Sequence, residues 1–219
     1  MRYRVDGQEI RSENAAKPHT QQSAVVADYL RQRGKVDAVL DYGCGKLRYS
    51  DLLATIGRRV TFVDSKIQLT RLQRVRGKRT TVAEFVARNY QHGQVVAAEE
   101  WRPGRRRYDL VTCINVLSAI ASRQALYGTL EAIRAVTRRT GLAVFINQHS
   151  NSRFKRYSRG KKHLFGHLHH AKGRHSYYGL LSEPRVVRLL TRRGFEIQRA
   201  WRLGEINFVE ARPINNSSK

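Results

Sequence analysis

From residue 36 onward, short apolar runs alternate with segments whose apolar residues recur at helical spacing, and this alternation limits the possible folds more than any other feature. Val36–Leu40, Val60–Val63, Val95–Ala98, Asp109–Ile114 and Leu142–Ile146 are the strand-like runs. Helical patterns fall between them at Ser50–Ile56, Gln68–Arg76 and Thr81–Asn89, the last with a capping-box pair in Thr81 and Glu84. Ser122 caps a further helix that carries Leu126, Leu130, Ile133 and Val136 near one stripe and ends at Gly141. Ser182, Glu183 and Pro184 open another, which Gly194 closes. Phe195–Trp201 and Ile206–Ala211 follow, joined by a turn at Gly204 short enough to make them antiparallel neighbours. The expected architecture is α/β, a three-layer αβα sandwich around a seven-stranded, mostly parallel sheet. Ahead of it lie a hairpin over Arg2–Arg11, turning at Asp6-Gly7, and a helix from Thr20 that stops at Gly34.

The chain has 219 residues, enough for one core, and residues 1–219 read as a single domain with an appendage at 1–19 and a basic insertion at 151–182. Lys and Arg number 42 against 17 Asp and Glu, a formal charge of +25 that favours an anionic partner. Nucleic acid is the first candidate, because counterion release rewards many dispersed cationic contacts. A merely solvated basic surface is the plainer alternative. The two cysteines, Cys44 and Cys113, sit in or beside apolar runs and make neither a disulfide framework nor a zinc site. MRYRVDGQEI has no signal-peptide core, and no stretch reaches the ~18 apolar residues of a membrane span. The chain therefore reads as cytoplasmic, with no membrane partner.

In VLDYGCGKLRYS, Val39 to Ser50, a strand runs into the mouth of a helix with Gly43 and Gly45 between them. In parallel sheets ligands bind beyond the carboxyl ends of the strands, and glycines there permit close approach of backbone to ligand. Asp64 ends the second strand, in VTFVDS, where a carboxylate can take both hydroxyls of a ribose or serve only as a helix cap. A nucleoside-containing cofactor fits the pair. A dinucleotide fingerprint would need a third glycine at position 48, which is Arg48.

Asp41, Gly43 and Gly45 instead match the first motif of the class I S-adenosylmethionine-dependent methyltransferases, which the chain resembles over nearly its whole length. VTFVDS resembles that family's ribose-binding segment, YDLVTCINVLSAI its fourth strand and following turn, and RRTGLAVFIN its fifth strand. LLTRRGFEIQRAW and INFVEARP resemble its last two strands. The resemblance implies strand order 3-2-1-4-5-7-6 with the last strand antiparallel, and S-adenosyl-L-methionine as cofactor. It implies that Asp41, Tyr42, Gly43, Cys44 and Gly45 hold the methionine moiety, Asp64 the ribose, Ser65 and Glu99 the adenine side, and that Asn115 faces the methyl group. Asn115 could equally satisfy the backbone of its own turn. Leu47 stands where the family has a third glycine, so its side chain must point away from the cofactor or into helix packing.

The acceptor is less legible. The Asn/Asp-Pro-Pro-aromatic motif of exocyclic-amine methylases is missing after the fourth strand, as are the Pro-Cys nucleophile of cytosine carbon-5 enzymes and the Lys-Asp-Lys-Glu set of ribose methylases. Asn151 to Ser182, however, contains no acidic residue and interleaves Arg153, Lys155, Arg156, Arg159, Lys161 and Lys162 with Phe154, Tyr157, Phe165, Tyr177 and Tyr178. Cations beside aromatics suit phosphates and bases. Its five histidines come without carboxylate or cysteine and do not read as a metal site. His149, just past the fifth strand, is the candidate general base, with Arg153, Lys155, Arg156, Lys161, Lys162, Tyr177 and Tyr178 as substrate contacts. The expected function is methyl transfer to nucleic acid or another polyanion. The rivals are a small-molecule methyltransferase and a non-catalytic nucleic-acid-binding protein on the same fold.

Overall fold

A computed structural model describes residues 2–101, 107–149, 157–171 and 173–214. A seven-stranded sheet is formed by β3 (Val36–Tyr42), β4 (Gly57–Asp64), β7 (Gly93–Ala97), β8 (Tyr108–Ile114), β9 (Thr137–Gln148), β13 (Phe195–Leu203) and β14 (Ile206–Pro213). Its spatial order is β13-β14-β9-β8-β3-β4-β7, which is the expected order read from the opposite edge. Pairings among β3, β4, β7, β8 and β9 are parallel, and β14 runs antiparallel to both neighbours.

Each face of the sheet is covered by helices, because its strands are apolar on both sides. On one face α1 (Ala24–Arg31), α2 (Ser50–Ile56) and α4 (Val82–Asn89) contribute Leu30, Leu53 and Phe85 to a core with Val39, Phe62 and Ile146. On the other, α5 (Arg123–Val136) and α6 (Glu183–Thr191) contribute Leu130, Ile133, Val186 and Leu190 to a core with Leu40, Val111 and Phe145. Among the described residues no helix is long and apolar enough to cross a membrane.

Several boundaries differ from the sequence reading, each for a local reason. Gln68–Arg76 is not one helix: α3 (Lys66–Thr70) is followed by a hairpin of β5 (Gln73–Val75) and β6 (Lys78–Thr80). Arg76 and Gly77 both have positive φ (48° and 85°), the geometry of a two-residue hairpin turn, and this outweighs the helical spacing of the apolar residues. Thr20 lies in a 3-10 turn, and Ser23 occupies the position before α1 without a side-chain capping bond. Gly141 does not end a helix: α5 stops at Val136, and β9 begins at once. Gly141 lies where the β8–β9 register jumps from Tyr108↔Thr137 to Leu110↔Leu142, and a β-carbon there would stand 2.7 Å from the Tyr108 carbonyl. The capping box of Thr81 and Glu84 and the cap by Ser122 form as expected.

The appendage and the insertion meet in a second sheet. The N-terminal hairpin, β1 (Arg2–Val5) and β2 (Gln8–Arg11), joins β10 (Lys162–His163), β11 (Gly166–Ala171) and β12 (Arg174–Gly179) in the order β1-β2-β12-β11-β10. Ile10 pairs with His175 at the junction, and Val5, Ile10, Ala121 and Tyr177 bury a small apolar cluster beneath it. The described part of the insertion is thus β-structure packed on the main body.

Candidate active site

The carboxyl ends of β3, β4 and β8 open into one pocket. Its lining includes Asp41, Tyr42, Gly43, Cys44, Gly45, Asp64, Ser65, Gln68, Ala98, Asn115 and Val116. The chain turns sharply after β3 because Gly43 and Gly45 take φ of +79° and +56°, and the Gly43 amide donates to the Val63 carbonyl at 2.7 Å. The Gly45 amide then donates to Asp64 Oδ2 at 2.8 Å, so the glycine loop and the tip of β4 are tied together. Asp64 Oδ1 accepts from the Ser65 amide at 2.7 Å. From α3, Gln68 Nε2 donates to the Gly45 carbonyl at 2.7 Å and steadies the loop from below.

Two carboxyls stand close together here. Burial pushes Asp41 up to about 7, with the charge of Asp64 adding to the effect and the hydroxyl of Thr112, which donates to Asp41 Oδ1 at 2.8 Å, opposing it. Asp64 is raised too, chiefly by desolvation, while the amides of Gly45 and Ser65 hold it back. Burial beside these two carboxyls also lifts the Cys44 thiol far above its ordinary range, so it is an inert wall rather than a nucleophile.

Leu47 has φ +58° and is completely buried, packed with Val26, Leu53 and Phe62. It fills the helix side of the loop and leaves the pocket side free. Asn115 also takes a left-handed conformation, φ +59°. Its amide donates to the Ile146 carbonyl and its Oδ1 accepts from the Gln148 amide, both at 2.7 Å, so this side chain joins the ends of β8 and β9 while the residue lines the pocket.

The remaining candidates are distributed differently. Glu99 is absent from the pocket wall; its Oε2 caps the start of α3 by accepting from the Lys66 amide at 2.9 Å. His149 also lies off the pocket wall, its backbone amide bonded to Glu205 at 2.6 Å and its imidazole pushed toward the neutral form by burial and by Arg202 and Arg185. Tyr177 is buried in the cluster under the second sheet and acts in packing. Tyr178 is hydrogen-bonded to Ser118 and stacks with Tyr157 at a centroid distance of 5.4 Å. Lys161 pairs with Asp6 at 2.8 Å, and Lys162 opens β10. Arg153, Lys155 and Arg156 lie outside the described residues. Among the described residues, no group of three or more His, Cys, Asp or Glu is placed to hold a metal.

Sequence reasoning named none of the residues of one wall. Tyr3, Ser12, Glu13, Ala15, Ala16 and Lys17 line the same pocket, so the segment after the N-terminal hairpin is a strap across the glycine loop. Arg71 holds it by donating to the Glu13 carbonyl at 2.8 Å, and Ala16 comes within 3.3 Å of where a β-carbon on Gly45 would stand. The Asp6-Gly7 turn announced the hairpin, but nothing in the local sequence said where it docks.

A methyltransferase domain family matches residues 12–200. The chain belongs to the class I, Rossmann-like methyltransferases. It is 39% identical over 215 residues to the uncharacterized protein YmfD of Escherichia coli (strain K12), covering 98% of this chain and 97% of that one. A solved complex titled DhpI-SAM-HEP superposes with a TM-score of 0.66 at 16% identity, over 92% of this chain and 91% of that one. The 1,6-didemethyltoxoflavin-N1-methyltransferase of Burkholderia thailandensis, with bound 1,6-didemethyltoxoflavin and S-adenosylhomocysteine, superposes with a TM-score of 0.63 at 20% identity, over 90% and 80%. At such identities these two structures share the fold.

Proposed function

We propose that the pocket binds S-adenosyl-L-methionine and that the protein transfers its methyl group to a polyanionic acceptor, nucleic acid first. The observation that carries the cofactor reading is the bond from the Gly45 amide to Asp64. It sets a carboxylate and bare backbone side by side across two adjacent parallel strand tips. The fit is supported by Gly43, where a β-carbon would collide with Val116; only glycine leaves that wall flat. Asp41 to Gly45 would hold the methionine part, Asp64 the ribose hydroxyls, and Ser65 with Ala98 the adenine side. When bound, S-adenosylmethionine supplies a methyl group on a sulfonium, whose positive charge is lost as the acceptor attacks.

The chain's own contribution is alignment. The loop from Asn115 to Ala119, fixed by Asn115 to β9, faces the glycine loop across the pocket and sets the direction from which an acceptor can approach. Neither His149 nor Tyr177 lines this space, so the acceptor must either bring a lone pair free at neutral pH or lose its proton to water.

The charge of +25 and the second sheet of appendage and acid-free insertion favour a polyanion. A small acceptor is the second reading. The strap across the glycine loop favours it, because it narrows the way in, and the 1,6-didemethyltoxoflavin-N1-methyltransferase cited above binds the small molecule 1,6-didemethyltoxoflavin. Incubation with S-adenosylmethionine labelled in the methyl group, together with separated nucleic-acid, protein and metabolite fractions of a cell, distinguishes them by the fraction that becomes labelled. Absence of calorimetric binding of S-adenosylhomocysteine would remove the cofactor reading itself.

A further inference from the structure

The wall of the pocket carries three cations that the cofactor reading does not absorb: Lys17 on the strap, and Lys46 and Arg48 just after the glycines. Among the described residues none of the three has a carboxylate within salt-bridge distance. The acids of the same wall are already engaged: Asp41 with Thr112, Asp64 with two backbone amides, and Glu13 with Arg2 at 3.4 Å.

Arg48 is the most constrained of the three. One terminal nitrogen donates to the Gln21 carbonyl, the guanidinium lies over the Tyr49 ring at 5.2 Å, and Nε is buried without a partner. A planar guanidinium held on one edge and one face has its remaining donors aimed in a fixed direction, which suits a compact tetrahedral or planar anion. Outside the pocket wall, Tyr178 is bonded to Ser118 and stacked on Tyr157 of the insertion.

Resting on the cofactor reading above, we propose that Arg48 is a specificity-determining residue that receives a phosphate group of the methyl acceptor, with Lys46 and Lys17 completing the anion site. A phosphate here would sit beside the glycine loop, among Lys17, Lys46 and Arg48. The acceptor is then recognised as a phosphorylated molecule, and the insertion extends the contact to neighbouring parts of it.

The test uses the full chain, isotopically labelled for NMR and saturated with S-adenosylhomocysteine, in about 150 mM salt so that diffuse attraction is screened. Inorganic phosphate is the probe, with sodium chloride of matched ionic strength as control. Phosphate is expected to shift the amides of Gly45, Tyr49 and Ser118 saturably in the parent. Arg48→Gln should weaken this at least tenfold, Arg48→Lys should recover part of it, and both should bind S-adenosylhomocysteine within threefold of the parent. Equal phosphate affinity in the parent and Arg48→Gln would overturn the proposal, as would shifts scattered over the basic surface. A tenfold loss of S-adenosylhomocysteine affinity in Arg48→Gln would overturn it too, assigning Arg48 to the cofactor's own carboxylate. Melting temperatures lowered equally in both variants, with phosphate binding unchanged, would make Arg48 a latch for the strap. Failure of the parent to bind S-adenosylhomocysteine would instead remove the underlying cofactor reading, and phosphate titration of the protein alone would still report on Arg48.

Discussion

The γ-methyls of Val116 fill the space that a β-carbon on Gly43 would need. The loop after the first strand thus packs directly against the Val116 side chain just past the fourth, and it can do so because position 43 is bare. Gly43 also has φ +79°, so any side chain there is penalised twice. Gly43→Ala is expected to lower stability by about 2 kcal/mol and S-adenosylhomocysteine affinity by at least tenfold. At Gly45 the nearest obstacle is the β-carbon of Ala16 on the strap, 3.3 Å away, which can yield. Gly45→Ala should therefore cost less affinity than Gly43→Ala, and the order of the two in calorimetry checks the geometry.

Asp64 spends both oxygens on backbone amides, and each oxygen keeps a lone pair for a ligand hydroxyl. Asp64→Asn can still accept from the Gly45 amide, but it loses the charge and the capacity to accept twice. Affinity for S-adenosylhomocysteine should fall about 10- to 100-fold, near 1.4 to 2.8 kcal/mol, with less effect on S-adenosylmethionine analogues that lack ribose hydroxyls. Equal losses for both ligands would mean that the carboxylate shapes the loop rather than contacts the sugar.

Burial raises Asp41 to about 7, well above the range of a carboxyl in an unfolded chain. Between pH ~4 and ~7 the folded protein therefore holds a proton that the unfolded chain has released, so stability must fall as pH rises through that window and level off above it. Asp41→Asn, which can still accept from Thr112, removes this dependence. Its melting temperature should exceed that of the parent at pH ~8, by an amount corresponding to at most about 4 kcal/mol, and the difference should shrink toward pH ~4. A parent that gains stability from pH ~4 to ~7 and an Asn variant that does not would reverse the sign and refute the account.

The sheet was legible in the sequence because parallel strands, apolar on both faces, leave long hydrophobic runs, and because the residues that stop them are glycines and caps with local signatures. Thr81 and Glu84 or Ser122 could be read that way. Gln68–Arg76 could not, since the Arg76-Gly77 turn competes with a helical pattern and wins only through the backbone geometry of both residues. The floor of the pocket was visible in Asp41, Gly43, Gly45 and Asp64, all within one strand–helix–strand unit. Its roof was not, because a contact such as Arg71 to Glu13 joins residues about 60 positions apart with no periodicity to announce it. His149 looked well placed by its position after a strand, yet its backbone amide is bonded to Glu205 beside β14 and the residue does not line the cleft.

Leu47 gives the sharpest separation between packing and binding. Its backbone is left-handed, φ +58°, a conformation costing a non-glycine residue about 1 kcal/mol, and its side chain is fully buried against Val26, Leu53 and Phe62. Leu47→Ala keeps the backbone strain and leaves a cavity, so it should destabilise the protein by about 2 to 4 kcal/mol. Leu47→Gly loses the same contacts but relaxes the backbone, and should be as stable as the Ala variant or up to about 1 kcal/mol more stable, contrary to the usual ranking of Ala over Gly. Both variants should bind S-adenosylhomocysteine within threefold of the parent at temperatures where they are folded, because the leucine points into the helix layer and not toward the ligand. Denaturant midpoints give the first comparison and calorimetry the second. A large affinity change in either direction would place the side chain against the cofactor, and the loop geometry described above would have to be redrawn.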